Sequence, residues 1–464
     1  MQKYVALMAV LGIGLLISTG SENMTMSQTQ DPGKDKGKDS VRQFIVFFDG
    51  IAPLAADSTF YSKPPDEQEK YRDAAKEKVL EELKRFKISP DPSKIMVDAI
   101  TAAIIRTTNR EAKKIQQKEG GVKVLADVEI EGRPIQQGRP IQQTDPLQQL
   151  GTLFQDWGLQ STAAGTYMSC AVSKAGGDKP ALDSDRLIWI VDTGIAYGNP
   201  SLNIDLTFAA NFSTSGTPSS ADDDNGHGTM VAGIAAARPI LWNDGSTIIA
   251  GVSPNAKVVP IKVLDFDGWG EWSAVLLGLN HIRSKGRTKN DIINLSLGEY
   301  SRRVPCQAVF PGINTVLRSL AQHNIIVMAS GNDGRNAGFN YPACLQASPS
   351  DPAVNPNLIA VSSVSCWRQC AVNANYGAEV DFVAVGTNVF STYKKNAAGQ
   401  WQYMVASGTS MAAAVISGVA HYNGLRPKPL DAIPCIVVPR RNVPGDRDAT
   451  PPIPINYAFG IRNE

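Results

Sequence analysis

The chain has 464 residues, 43% of them hydrophobic, with 45 Lys and Arg against 44 Asp and Glu. That length allows two or three domains and a large core. A net charge near zero, with no basic face and no charged tail, argues against nucleic-acid binding, so no nucleic-acid partner is expected.

At the N-terminus, Lys3 precedes an apolar run from Tyr4 to Ile17, followed by Ser18, Thr19, Gly20 and Ser21. One charge, a short apolar core and small residues read as a secretory signal peptide over residues 1–20. The run is short for a bilayer span, so export to the medium or periplasm is expected, without a stable membrane anchor. Residues 22–41 are polar (DPGKDKGKDS) and read as a disordered lead-in. Residues 42–131 read as a small α+β domain. Gln43 to Phe48 is a strand. Tyr71, Ala75, Val79, Leu83 and Phe86 recur at helical spacing, and Lys94 to Thr107 reads as a second helix. Val122, Val124, Ala126, Val128 and Ile130 alternate as in a half-buried strand.

Gly132 to Gln143 is a tandem hexapeptide, GRPIQQGRPIQQ. Pro134 and Pro140 argue against regular structure there. Residues 132–150 therefore read as a linker with a natural cleavage site. From about Thr144 strands alternate with helices. The strands are Leu187–Val191, Val258–Val263, Asp291–Leu295, Ile325–Ser330, Leu358–Ser362 and Val380–Ala384. The helices are Gly228–Ala237, Glu271–Ser284, Gly312–His323 and Ser410–Tyr422. That alternation argues for an α/β fold with a parallel sheet flanked by helices. Asn388 to Val405 reads as a hairpin, and the proline-rich stretch from Arg426 as irregular. Outside the cell the six cysteines allow three disulfides, with Cys366 and Cys370 the expected pair.

The chemistry is found by elimination. Three hydroxyls, Ser407, Thr409 and Ser410, stand in ASGTSMAAAV. A serine becomes a nucleophile only beside a base, usually histidine, that a third group orients. Of the four histidines, His281, His323 and His421 sit in or at the ends of helices and read as packing or surface residues. His227 lies between Gly226 and Gly228 in DDDNGHGTMVAG, and Asp192 ends the apolar strand IWIVDTGI. Binding sites in open α/β sheets gather at the carboxyl ends of strands.

The order Asp192, His227, Ser410 and the blocks Asp-Thr-Gly, Asn-Gly-His-Gly-Thr and Ser-Gly-Thr-Ser-Met-Ala-Ala resemble the signature blocks of the subtilisin-like serine proteases. The resemblance runs from about Asp156 to Tyr422. It implies a subtilisin-like three-layer fold with a mostly parallel twisted sheet, and an inhibitory propeptide domain before the peptidase domain of residues 151–464. It implies Ser410 as nucleophile, His227 as base, Asp192 as its orienting acid, and Asn332 of MASGNDG as an oxyanion donor. One substrate edge would be Gly268, Trp269 and Gly270, with Trp272 over a distal apolar pocket. The other would be Ser296, Leu297 and Gly298. Ala329, Ser330 and Gly331 would line the primary pocket, with Asn340 at its floor and Asp333 near its mouth. Preference would be broad, apolar or mixed.

Protein or peptide substrates and the chain's own propeptide are the expected partners. No cofactor is expected to be needed for the chemistry. Asp222 to Asp224, or Asp205, are candidate ligands for structural calcium. The sequence departs from the family at Ala414, where proline is usual, and at Met230 and Val415, where histidine is frequent. A catalytically impaired, peptide-binding member of the family is the rival reading. An esterase would require a Gly-x-Ser-x-Gly elbow and a serine-first order, which this chain lacks.

Overall fold

A computed structural model describes residues 41–48, 50–57, 59–118, 122–132, 136–137, 141–142, 158–177, 185–217, 219–287, 290–300, 311–345, 356–424, 428–436 and 454–461. The expected signal peptide, the lead-in up to residue 40, the segment at Asp156 and most of the linker and of the C-terminal stretch lie outside them.

The N-terminal part is a four-stranded antiparallel sheet. Its strands are β1 (Val41–Phe48), β2 (Ile95–Met96), β3 (Ala102–Thr108) and β4 (Val122–Ala126), in the order β2-β3-β1-β4. Helices α1 (Pro65–Lys84) and α2 (Asn109–Lys118) accompany it. Period-two alternation splits β1 cleanly. Phe44, Val46 and Phe48 share a core with Ala75, Val79 and Leu83 of α1, while Ile45 and Phe47 join the core of the rest of the molecule. The helix expected over Lys94 to Thr107 is instead β2 and β3. Ala102 to Ile105 are buried, covered on both sides, and Ile104, Ile105, Thr107 and Thr108 are β-branched, which suits a strand. The helix falls one element later, in α2, where Ala112 and Ile115 are buried three apart.

The run Val122 to Ile130 is two strands. β5 (Glu129–Glu131) leaves the small sheet, and the repeat contributes β6 (Gln136–Gln137) and β7 (Ile141–Gln142). Regular pairing was not expected in the repeat; it occurs in pairs that avoid both prolines.

The large sheet contains β8 (Leu187–Asp192), β9 (Lys257–Lys262), β11 (Ile292–Leu295), β12 (Ile325–Ala329), β13 (Leu358–Val364) and β14 (Phe382–Val385). They run parallel in the order β9-β8-β11-β12-β13-β14. Between β9 and β11 in sequence lie the short β10 (Trp269–Glu271) and α4 (Trp272–Ser284). Ile188 and Ile190 face a core shared with α3 (His227–Ala236) and α6 (Thr409–Asn423). Leu187, Trp189 and Val191 face α4 and α5 (Pro311–Leu320). Helices on both faces explain why these strands are apolar throughout rather than alternating.

The hairpin is β15 (Val389–Lys395) with β16 (Trp401–Ser407). The C-terminal stretch read as irregular instead contains β17 (Lys428–Ile436) and β18 (Pro454–Ile461), which extend the sheet beside β14. Pro429 and Pro434 are tolerated because β17 lies at the sheet's edge. The expected Cys366–Cys370 pair is not formed: Cys366 bonds Cys170, with Cα atoms 5.9 Å apart. Cys370 pairs across a tight turn with Val364, leaving Cys366 to reach the helix that begins at Cys170. Cys344 and Cys370 each take part in a disulfide as well.

Candidate active site

Three adjacent strands, β8, β11 and β12, end beside one another, and their carboxyl ends deliver Asp192, Ser296 and Asn332. Asp192 is the last residue of β8 and is fully buried. His227 opens α3. Gly226 before it has φ +112°, and the ring of Tyr393 lies 2.3 Å from where a β-carbon would sit, so only glycine fits.

Asp223 holds this helix start. It accepts from the amides of Asn225 (3.0 Å), Gly226 (2.8 Å) and Thr229 (2.9 Å) and from the Thr229 hydroxyl (2.5 Å). Burial pushes its carboxyl above the usual range, opposed by those bonds. Lys262, fully buried at the end of β9, donates to Thr193 O (2.6 Å), Asp224 Oδ1 (2.6 Å) and Leu264 O (3.0 Å). It thereby ties together the turn after Asp192, the loop before His227 and the start of the substrate edge. Sequence reasoning missed Lys262 and took Asp223 only as a candidate calcium ligand. The available signal was a charge inside the apolar run VVPIKVL.

His227 Nδ1 lies 2.7 Å from Asp192 Oδ1. A carboxylate accepts only, so Nδ1 carries the proton and Nε2 presents its lone pair. Nε2 is buried with no hydrogen-bond partner. Ser410 occupies the first turn of α6, whose leading N–H groups have no partner within the helix. Its hydroxyl donates to Ser296 O at 3.2 Å, and the Ser296 hydroxyl donates to Ser410 O at 3.0 Å. The serine proton is therefore aimed at a strand-end carbonyl.

Asn332 Oδ1 accepts from Thr409 N (2.9 Å) and Thr409 Oγ1 (3.0 Å). Because its carbonyl is held by two donors, its Nδ2 is left to donate elsewhere. Ala414 is fully buried, five residues into a helix that starts at Thr409.

The expected substrate-binding residues form two walls. β10 presents Trp269 and Gly270, with Gly268 just before it. Ser296, Leu297 and Gly298 follow β11. Between Gly298 and Gly331 lies the buried Asn340. Its Nδ2 is 3.3 Å from a β-carbon placed on Gly298, and its Oδ1 is 2.5 Å from one placed on Gly331. Its Nδ2 has no hydrogen-bond partner. Ala329 ends β12, and both it and the following Ser330 are buried. Asn375 holds this loop by accepting from the amides of Asp333 (2.9 Å) and Arg335 (3.0 Å). Trp272 is fully buried, edge-on to Tyr341 at 4.8 Å, and donates to Glu299 Oε2 at 3.1 Å.

Two of the other histidines pack. His281 bonds Phe208 O at 3.0 Å, and His421 bonds the Ser253 hydroxyl at 2.9 Å. The candidate calcium ligands are engaged by protein donors. Asp222 accepts from Tyr197 N, Asp205 from Thr207 N, and Asp224 from Lys262. Among the described residues no group of three or more His, Cys, Asp or Glu is placed to hold a metal ion.

Comparison with known proteins decides the family. Residues 183–422 match the model of the Subtilase family. The chain belongs to that family. Subtilisin-like protease 1 of Pseudogymnoascus destructans is 35% identical over 241 residues, 52% of this chain and 52% of that protein. Subtilisin DY of Bacillus licheniformis is 34% identical over 233 residues, 50% of this chain and 74% of that protein. The chain thus spans about half the length of the first relative. A crystal structure of a cold adapted subtilisin-like serine proteinase aligns at a TM-score of 0.44 and 20% identity, over 63% of this chain and 98% of that one.

The cleft of this subtilase is filled by its own chain. β5 pairs antiparallel with β10, Ile130 opposite Gly270 and Glu131 opposite Trp269, and Gly132 N donates to Gly268 O at 3.0 Å. Ile130 is 1% exposed and joins the apolar cluster that includes Leu264, Trp272 and Leu297. A β-carbon on Gly132 would lie 2.3 Å from Leu264 Cδ1 and 3.7 Å from Ser296 O, so this residue sits between the two walls. His227 and Ser410 are left only 2% and 3% exposed.

Proposed function

We propose that the protein is a secreted serine endopeptidase made as a self-processing zymogen. The observation that carries this reading is the 2.7 Å bond between His227 Nδ1 and Asp192, with Nε2 unpartnered, in a chain of the subtilase family. Ser410 Oγ adds to the scissile carbonyl carbon while its proton passes to His227 Nε2. The oxyanion is held by Asn332 Nδ2 and by N–H groups at the start of α6, where the helix dipole also favours negative charge. His227 then protonates the departing amine, and Asp192 stabilises the imidazolium meanwhile. Water repeats the sequence on the acyl-enzyme and restores Ser410. The chain's own residues suffice for this chemistry. Because the base is an imidazole, activity falls in acid and holds from neutral pH upward.

Substrate binds as an extended strand against β10 and the Ser296 wall, in the place that Glu129 to Gly132 take in the zymogen. Residues 42–131 act as the inhibitory unit. A signal peptide over residues 1–20 accounts for export; among the described residues no helix is long and apolar enough to cross a membrane.

The test is mass spectrometry after reaction with a serine-directed phosphonyl reagent. The adduct is expected on Ser410, in a shortened chain, while Ser410→Ala stays full length. An adduct on another residue, or equal processing of both purified chains, overturns the reading.

A further inference from the structure

The Ser296 wall and the loop after β12 each present a glycine, Gly298 and Gly331, and the side chain of Asn340 stands between them. Without side chains of their own, the two glycines leave a flat slot between backbone segments. Asn340 is fixed there by its surroundings. It pairs antiparallel with Tyr300, and the next residue, Tyr341, is fully buried with its hydroxyl donating to Asn314 Oδ1 at 2.7 Å. Gly331 is fixed from the other side. Its N–H donates to Thr409 Oγ1 at 3.2 Å, so the slot is tied to the residue just before Ser410.

Asn340 is 3% exposed, and among the described residues its Nδ2 has no hydrogen-bond partner. A buried donor left unpaired is destabilising, and native interiors keep few of them. Neighbouring Asn375 shows what a purely structural amide does here. Its Oδ1 accepts from the amides of Asp333 and Arg335, and its Nδ2 donates to Ser330 O at 2.9 Å. The amide of Asn375 is spent on the fold, whereas Asn340 keeps a donor in hand between the two walls.

We infer that Asn340 is a specificity-determining residue: the pocket it floors selects substrates whose residue on the acyl side of the scissile bond carries a carboxamide, glutamine or asparagine. The inference rests on the endopeptidase reading and names the substrate class of that same site. A carboxamide is planar, which suits a slot walled by two glycines. It offers a carbonyl oxygen to Asn340 Nδ2 and N–H groups to Oδ1 of the same amide. An aliphatic side chain of equal length fits the volume but leaves Nδ2 unpaired and dry. An ammonium group brings only donors against that donor. A carboxylate accepts, but it brings a negative charge toward Asp333, whose Oδ2 lies 3.3 Å from Asn375 Nδ2 beside Gly331.

The self-processed protein is assayed on three peptides that differ only at that residue. One carries glutamine, one methionine, which has nearly the same length without the amide, and one glutamate. The kcat/KM for glutamine is expected to exceed that for methionine about ten- to hundredfold, and that for glutamate at least about tenfold. Asn340→Leu and Asn340→Ala remove the amide, and each is expected to bring glutamine and methionine to within about twofold of one another. A merely structural role for Asn340 would instead lower all three substrates in parallel and keep their ratios. Methionine or glutamate equal to glutamine in the parent, or a glutamine preference that survives both variants, overturns the inference. The parent ranking alone decides if neither variant processes itself. No turnover of any of the three peptides, with no phosphonyl adduct on Ser410, overturns the endopeptidase reading instead.

Discussion

Two sheets in this protein are covered on both faces, but by different partners. The large parallel sheet is sandwiched between α3 and α6 on one side and α4 and α5 on the other, and its strands are apolar throughout. The N-terminal sheet covers one face with α1 and α2 and lays the other on α4 and α5. That second contact is partly polar. Arg72, paired with Asp98 at 3.1 Å inside the N-terminal part, reaches across to Ser284 O at 2.9 Å; Ala99 N donates to Asn280, and Ser273 N to Asp127. Tyr61 lies under Arg283 at 4.0 Å and against Gly286, where φ is +62°. Water can replace such bonds when surfaces part, whereas a wholly apolar contact would leave two exposed patches. The contact under the small sheet is the more polar of the two, which suits the removable unit proposed above.

The largest test of that contrast is Arg72→Ala, made in the Ser410→Ala chain so that the cover stays attached. Burial raises the Asp98 carboxyl despite Arg72, so its partner matters. Removing one member of a buried pair typically costs about 3–5 kcal/mol. The urea midpoint for loss of the N-terminal contact should fall accordingly; an unchanged midpoint would mean the apolar face alone holds the cover. On the large-sheet side, Asn332→Ala should lower kcat about 10²–10³-fold with little change in KM, a figure borrowed from a subtilisin. A loss that appears mainly in KM would assign Asn332 to substrate binding.

The smallest effect concerns acid. Burial, then Lys285, pushes His281 from 6.5 down to about 4, so the fold favours its neutral form. That stabilisation is complete above about 6.5 and is lost as pH falls toward about 4. His281→Gln should therefore lose less stability than the parent over that window, by at most about 3 kcal/mol. Parallel losses in the two proteins would sink this account of acid sensitivity.

Local chemistry wrote much of the large domain plainly. Its apolar strands and its helices are bounded to within three residues, because burial on two faces leaves a continuous apolar run. Asp192, His227, Ser410 and Asn332 were legible because each sits at an element end among glycines. Less was legible in the cover. Ala102 to Ile105 carry no periodicity that separates strand from helix, and only the neighbouring strands β1 and β2 decide.

By itself the sequence determined the alternation of strands and helices in the large sheet, the family and the residues that meet at the strand ends, since these follow from local spacing and side-chain type. Tertiary structure alone decided that Cys366 bonds Cys170, that Lys262 and Asp223 brace the imidazole's loop, and that the hexapeptide repeat pairs with β16. Each of these depends on contacts between residues dozens to hundreds of positions apart. No local pattern encodes which distant edge, acceptor or sulfur a side chain will find once the core has closed around it.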